Sequence, residues 1–340
     1  PWRRARRGGT GPRMSPGEDR TIPVTVITGF LGAGKTTLLN AWLEEYAAGE
    51  VAVVVNEWGA VGIDGELLGA RARSVLEIEG GCVCCTTQLE LSRALEALAA
   101  RAPPPTRIFV ETSGLASPAG VLRAILRGAA REALRVDGIV TVVSAARAHA
   151  LEAHDVAAEQ VGYADVLLLT HTDGRAAADL DAVRVALSTR NAAAIVASAA
   201  RGRLSDADAP SLDALLARRG AELRVFSDTP PAHDARIASV ALVVEGELDE
   251  GRFLAWVEEA LGDVEGRLLR MKGILAIAGL DVRMILQGVA DHAEVDFGPP
   301  WGDAPRTSRL VVVGFGLDRE ELAAGFAACA LGDATPRAPW

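Results

Sequence analysis

The sequence predicts a doubly wound α/β domain built on a mostly parallel sheet, followed by a smaller α+β domain. Three observations predict it. From Thr21 to about Glu222, short β-branched runs alternate with Ala/Leu-rich segments of helical spacing. A glycine-rich loop follows the first of those runs and opens the first helical segment. Past a stretch holding Asp228, Pro230, Pro231, His233 and Asp234, the rhythm changes to alternating strands with only two helical segments.

In chain order, the expected strands of the first domain are Val24–Thr28, Val51–Val55, Val75–Ile78, Arg107–Glu111, Gly138–Val143, Val166–Thr170 and Ala194–Ala197. Helices are expected at Thr36–Ala48, Gln88–Arg101, Pro118–Leu126 and Asp179–Arg190. Ligands in such folds sit at the carboxyl ends of the strands. The second domain should contain strands at Ser239–Leu248, Leu268–Ile277, Asp281–Val289 and Ser308–Val313, with helices Glu250–Leu261 and Asp318–Cys329 on one face. The expected organisation is a disordered basic tail over 1–20, a nucleotide domain over 21–222, a linker over 223–237 and the α+β domain over 238–335.

The bulk numbers exclude several classes. A chain of 340 residues with 49% hydrophobic and 24% charged residues is globular, with ample core. A net charge of −10 argues against nucleic acid or an anionic membrane as the main partner. No apolar run reaches the roughly 20 residues of a membrane helix, so the expected location is the cytoplasm. The tail carries Arg3, Arg4, Arg6, Arg7, Arg13 and Arg20 and reads as disordered, or as upstream sequence before a start at Met14. It is not expected to be a signal peptide, because the apolar segment after it runs into the glycine-rich loop.

Four motifs carry chemistry. In Gly29-Phe30-Leu31-Gly32-Ala33-Gly34-Lys35-Thr36-Thr37, glycines let backbone N–H groups wrap a phosphate chain. Lys35 would reach the β- and γ-phosphates, Thr36 would ligate Mg²⁺, and the helix N-terminus adds positive potential. This loop alone separates neither ATP from GTP nor a kinase from a hydrolase. In Ile108-Phe109-Val110-Glu111-Thr112-Ser113-Gly114, an apolar strand ends in an acid with a glycine three residues on. That arrangement suits a carboxylate beside metal-bound phosphates and an amide near the γ-phosphate.

The third motif, Thr170-His171-Thr172-Asp173, resembles a guanine-reading [N/T]-K-x-D loop with histidine in the lysine position. Asp173 would accept hydrogen bonds from the guanine N1–H and 2-amino group, which favours GTP, and the His171 ring could stack on the base. Ser198 and Ala199 are candidates to complete the base pocket. The fourth motif is Glu79-Gly80-Gly81-Cys82-Val83-Cys84-Cys85. Thiolates are soft ligands for Zn²⁺, Cu(I) and similar ions, and an incomplete three-cysteine shell suits an ion that is later released. Buried apolar cysteines and a redox role are the competing readings. The fourth cysteine, Cys329, is expected as a buried hydrophobe.

Together these segments resemble the CobW-type P-loop GTPases, a family of metal chaperones and metal-insertase activators. The resemblance also takes in Asn56-Glu57-Trp58-Gly59-Ala60-Val61-Gly62-Ile63-Asp64-Gly65 and Glu111 through Pro118. In the second domain it covers Leu268–Leu275, Gln287-Gly288-Val289 and Pro305-Arg306. It implies a cycle in which GTP and Mg²⁺ organise the Asn56–Asp64 switch and the cysteine loop into a tight metal site. Hydrolysis then releases the ion to a metal-requiring client protein. It also implies that Glu57 and Glu111 lie near the Mg²⁺ and the attacking water. The catalytic set is then Lys35, Glu57, Glu111 and Gly114. The nucleotide would be held by Gly29, Gly32, Ala33, Gly34, Lys35, Thr36, Thr37, Thr170, His171 and Asp173, and the cargo metal by Cys82, Cys84 and Cys85.

The chain departs from the family at Ala60, where a second acid is frequent, and at Ser144, where an aspartate is frequent. Its five histidines form no metal-gathering tract. His149 and His154 are expected to be surface residues sharing one helical stretch. Zn²⁺ is the first expectation for the metal, with Co²⁺, Ni²⁺ and Fe²⁺ open, as are the client and the oligomeric state. The alternative function is a metal-sensing switch whose output is partner binding; an ATP-dependent small-molecule kinase is a third, disfavoured by the cysteine loop.

Overall fold

A computed structural model describes residues 21–47, 49–57, 75–79, 86–204, 211, 213–216, 237–262, 268–289 and 292–331. The expected tail over 1–20 lies outside these residues, as does the linker up to its last position, Ile237, which opens a strand. Two compact units emerge, one from described residues within 21–184 and 195–216, the other from 185–194 and described residues within 237–331.

The first unit contains strands β1 (Ile22–Thr28), β2 (Val51–Glu57), β3 (Val75–Glu79), β4 (Arg107–Thr112), β5 (Leu134–Ser144), β6 (Val166–Thr170), β7 (Ile195–Ala200) and β8 (Arg203–Leu204). They form one sheet in the order β3-β2-β4-β1-β5-β6-β7-β8. All neighbours run parallel except the short β8, which turns back on β7. Its helices are α1 (Lys35–Leu43), α2 (Thr86–Ala99), α3 (Pro118–Arg127), α4 (Ala150–Ala153) and α5 (Asp155–Tyr163); α6 (Ala177–Arg190) runs from the first unit into the second.

Strands this apolar can only be buried on both faces. On one face Leu38, Leu39, Trp42 and Leu43, a stripe at helical spacing, carry α1 onto Ile27, Val53, Phe109, Val140 and Val142. Burying each such side chain contributes about 1.5–3 kcal/mol. Helices α2, α3 and α5 pack against β2, β4, β1 and β5. Because β1 leads to β2 on one side while β5 lies on the other, the strand order reverses around β1. A crevice opens there at the carboxyl edge, where ligands bind in doubly wound sheets.

The second unit is a five-stranded antiparallel sheet in the order β12-β11-β10-β13-β9, from β9 (Ile237–Glu245), β10 (Leu268–Leu275), β11 (Val282–Val289), β12 (His292–Pro300) and β13 (Thr307–Phe315). Period-2 residues Val240, Leu242 and Val244 share a core with Phe253, Val257 and Phe326 of helices α7 (Glu250–Gly262) and α8 (Arg319–Ala328). Cys329 is buried there, as expected, and burial pushes its thiol up to about 11.

The sequence patterns miss the short β8 and two further features. Strand β12 is polar and edge-placed, with Pro299 and Pro300 at its end, so it lacks the apolar alternation that marks a strand. The helical stretch expected to carry both His149 and His154 breaks at His154, whose extended backbone (φ −134°, ψ 119°) makes it the N-cap of α5. The two histidines are exposed, yet they share no helix face.

Candidate nucleotide and metal site

The phosphate loop leaves β1 at Thr28 and turns at Gly29, where φ is +139° and a Cβ would overlap the Val142 carbonyl oxygen. Only glycine fits that position. Lys35 Nζ donates to the Gly29 carbonyl at 3.0 Å, closing the loop on itself. Helix α1 starts from Gly34 in the left-handed region, with no side-chain cap on its amides. Its N-terminal N–H groups and dipole therefore face the loop, which is a ready anion site.

Opposite the loop stands the end of β4. Thr36 Oγ1 donates to Glu111 Oε1 at 2.8 Å, and Glu111 is only 5% exposed. Thr112 Oγ1 donates to Thr28 Oγ1 at 2.7 Å in the buried sheet edge. Gly114 lies so close to the loop that a Cβ would come within 2.8 Å of the Leu31 amide nitrogen. The hydroxyl and carboxylate oxygens of Thr36 and Glu111 are hard donors of the kind Mg²⁺ takes alongside phosphate oxygens, so the residues present fit that ion.

The third motif closes the other side. Thr170 Oγ1 donates to the Ala33 carbonyl at 2.7 Å, tying the end of β6 to the phosphate loop. His171 follows in the left-handed region (φ 53°), with Nδ1 3.2 Å from Thr170 Oγ1 and Cε1 3.8 Å from the point where a Gly34 Cβ would lie. Asp173 is exposed beyond it. Ser198 is buried and accepts a 2.6 Å bond from Arg184.

Strand register brings the remaining acids to the same edge. Glu111 pairs across the ladder with Ile27 on one side and Val55 on the other, and Asn56 pairs with Thr112. The backbone of Glu57 pairs with Glu79, the last residue of β3. The cysteines Cys82, Cys84 and Cys85, and the switch residues from Trp58 to Asp64, Ala60 among them, lie outside the described residues. Among the described residues, no group of three His, Cys, Asp or Glu side chains could hold a metal ion. No helix among them is long and apolar enough to cross a membrane.

Several residues here carry no sequence motif. Arg147 Nη1 donates to the Leu31 carbonyl at 3.0 Å, and the His154 ring stacks on Phe30 at 4.7 Å between centroids. From α5, Gln160 Nε2 donates to the carbonyls of Gly114 (3.2 Å) and Ala116 (3.0 Å), and Glu159 Oε1 accepts from Ser117 Oγ at 2.6 Å. The one sequence sign was a polar pair, Glu159-Gln160, inside an Ala/Val helix.

With a phosphate loop, a buried strand-end acid and a base-loop candidate converging on one sheet edge, comparison with known proteins is decisive. Residues 23–197 match the CobW/HypB/UreG nucleotide-binding domain, and residues 237–330 match the cobalamin synthesis protein cobW C-terminal domain. The chain belongs to the CobW/HypB/UreG family. Within it, the zinc chaperone YjiA of Escherichia coli is 34% identical over 322 residues, covering 90% of this chain and 98% of that protein. The zinc chaperone CobW of Pseudomonas aeruginosa is 33% identical, covering 89% and 90%. The Zn(II)-bound crystal structure of the E. coli YjiA GTPase superposes with a TM-score of 0.68 at 28% identity, covering 92% of this chain and 99% of that one. The parallel sheet thus lies largely in the region that matches the CobW/HypB/UreG nucleotide-binding domain, and the antiparallel sheet in the region that matches the cobW C-terminal domain.

Proposed function

We propose that the chain is a GTP-hydrolysing metallochaperone that holds a transition-metal ion, Zn²⁺ first, on the Cys82-x-Cys84-Cys85 loop and releases it to a client protein on GTP hydrolysis. Curated relatives named zinc chaperones, aligned along nearly the whole chain, support the class. The observation that carries the coupling is the pairing of Glu57 with Glu79. Glu57 lies within the Asn56–Asp64 switch, and Cys82 stands three residues after Glu79, a reach of about 10 Å at most. In this reading a change in the switch is passed along this strand pair to the metal loop.

In this reading Lys35 neutralises the β- and γ-phosphates, and Thr36 and Glu111 hold Mg²⁺, which supplies charge neutralisation at the transferring phosphoryl group. Glu57 and Glu111 orient the attacking water, and the Gly114 amide faces the γ-phosphate. Asp173 reads the guanine edge while the His171 ring packs by the base. If GTP tightens the thiolate site, the metal tightens GTP binding by the same factor.

The test is a single turnover of Zn²⁺-loaded protein with GTP and Mg²⁺, in the presence of a chromogenic chelator. Zn²⁺ transfer in step with phosphate release supports delivery. Hydrolysis with no acceleration of transfer would leave the sensing switch as the better account.

A further inference from the structure

We propose that Gln160 is a positioning residue for GTP hydrolysis: from α5 it grips the segment after β4 and sets where Gly114 meets the phosphate loop. The proposal rests on the reading of Gly114 given above and names what holds that glycine in place.

The geometry is a closed triangle. One side is the contact of Gly114 with Leu31, tight enough that a Cβ would not fit. The second side joins the phosphate loop to α5: the His154 N-cap ring stacks on Phe30. The third joins α5 to the segment after β4. There the single Gln160 amide nitrogen donates to both the Gly114 and Ala116 carbonyls, while Glu159 accepts from Ser117. Thr141 Oγ1 donates to the Gln160 carbonyl at 2.6 Å and anchors that turn of α5 to β5.

Gln160 is fully buried, and two carbonyl acceptors fix which end of its amide faces the segment. Its Oε1 is buried without a hydrogen-bond partner among the described residues. A glutamine that leaves its acceptor unpaired while both donors hold one loop is poorly explained by packing alone. The Gly114 carbonyl belongs to the Gly114–Leu115 peptide and the Ala116 carbonyl to the Ala116–Ser117 peptide, so the grip fixes the peptide that leaves Gly114 and the turn two residues on, which constrains the ψ that aims the glycine. Ser117 extends it by capping α3 through the Ala119 amide.

The experiment compares Gln160→Met, Gln160→Glu and Gly114→Ala with the wild type in kcat and KM for GTP, GDP affinity and Tm. Methionine keeps the volume and removes both donors. For it we expect kcat to fall on the order of 10–100-fold, as for a small misplacement of a reacting group, with GDP affinity and Tm near wild type. Glutamate supplies the sharper readout. Ionised, it offers no donor to two carbonyls; protonated, it regains one. Its kcat relative to wild type should therefore climb as pH falls from 8 to 6.

Wild-type kcat in the methionine variant, or a flat pH ratio in the glutamate variant, would overturn the proposal. Should the methionine variant fail to fold, the glutamate ratio decides. Unchanged kcat in Gly114→Ala would overturn the reading of the site, and the proposal with it; a damaged Gly114→Ala beside active Gln160 variants removes Gln160 alone.

Discussion

The Thr36 hydroxyl and the Glu111 carboxylate, 75 positions apart in sequence, meet at 2.8 Å where the phosphate loop faces the end of β4. An exposed pair would contribute little. This one is set in a buried sheet edge, so both oxygens stay beside the phosphate loop, where the proposed reading has them hold Mg²⁺. Glu111→Gln keeps the shape and removes the charge. We expect its GTP turnover to fall by about 10²-fold or more, with GDP binding retained, measured as phosphate release over a Mg²⁺ titration. Turnover at the wild-type level would remove Glu111 from the machinery.

Asp173 tests base choice. Its carboxylate would accept from the guanine N1–H and 2-amino group, whereas an amide in its place can donate to the carbonyl of xanthine. Asp173→Asn should weaken GTP and strengthen XTP, each by about tenfold, since a lost charge-assisted hydrogen bond and a mismatched edge cost about 1.5–3 kcal/mol. Competition against labelled GDP reads both. An unchanged GTP to XTP ratio would place guanine recognition elsewhere.

At the opposite edge of the sheet, Arg107 makes 2.6 Å ion pairs with Asp137 and Asp213 and donates to Thr25 Oγ1 at 2.6 Å. Arg107 and Asp137 side chains are 11% and 10% exposed, and Asp137 also pairs with Arg135. Arg107→Met strips a buried carboxylate of its main cation. We expect a loss of about 3–5 kcal/mol, seen as a lower denaturant midpoint, with the Arg135 pair limiting the damage. A stability loss under about 1 kcal/mol would mean that the cluster behaves like a surface pair.

Burial raises the Glu159 carboxyl above its ordinary 4.5, opposed by the Ser117 hydrogen bond and by Arg123. The folded value exceeds the unfolded one. The stability this supplies is fully present below pH 4.5 and is lost as pH rises through the folded value. Glu159→Gln removes the buried charge and keeps an acceptor for Ser117. Its Tm at pH 7.5 should equal or exceed wild type, with the advantage gone by pH 4. A variant less stable at pH 7.5 than at pH 4, relative to wild type, contradicts this sign.

Most of the fold was legible because its causes are local. Val166–Thr170 reads directly as the strand it forms, and Gly29 announces a backbone that no other residue could adopt. Helix α1 ends at Leu43, short of the expected Ala48, because Glu44 and Glu45 already bond three residues back in a tightening turn. The phosphate loop, the strand-end acid and the base-loop motif were legible for the same reason: each is a contiguous run. Gln160, Arg147 and the Phe30–His154 stack were not, because their roles exist only once β5 and α5 bring distant segments together. Nothing in the residues near Gln160 indicates that its partners are Gly114 and Ala116.

The central claim is that nucleotide state gates the cysteine site. The most direct test is Zn²⁺ affinity by competition titration, with Mg²⁺ and a non-hydrolysable GTP analogue and again with Mg²⁺ and GDP, using the Cys82→Ala/Cys84→Ala protein as control. The account predicts binding at least about tenfold tighter with the analogue, a coupling of about 1.4 kcal/mol or more, and loss of that difference in the double variant. Equal affinity in both nucleotide states would contradict it and leave a GTPase whose cysteines do not report its cycle.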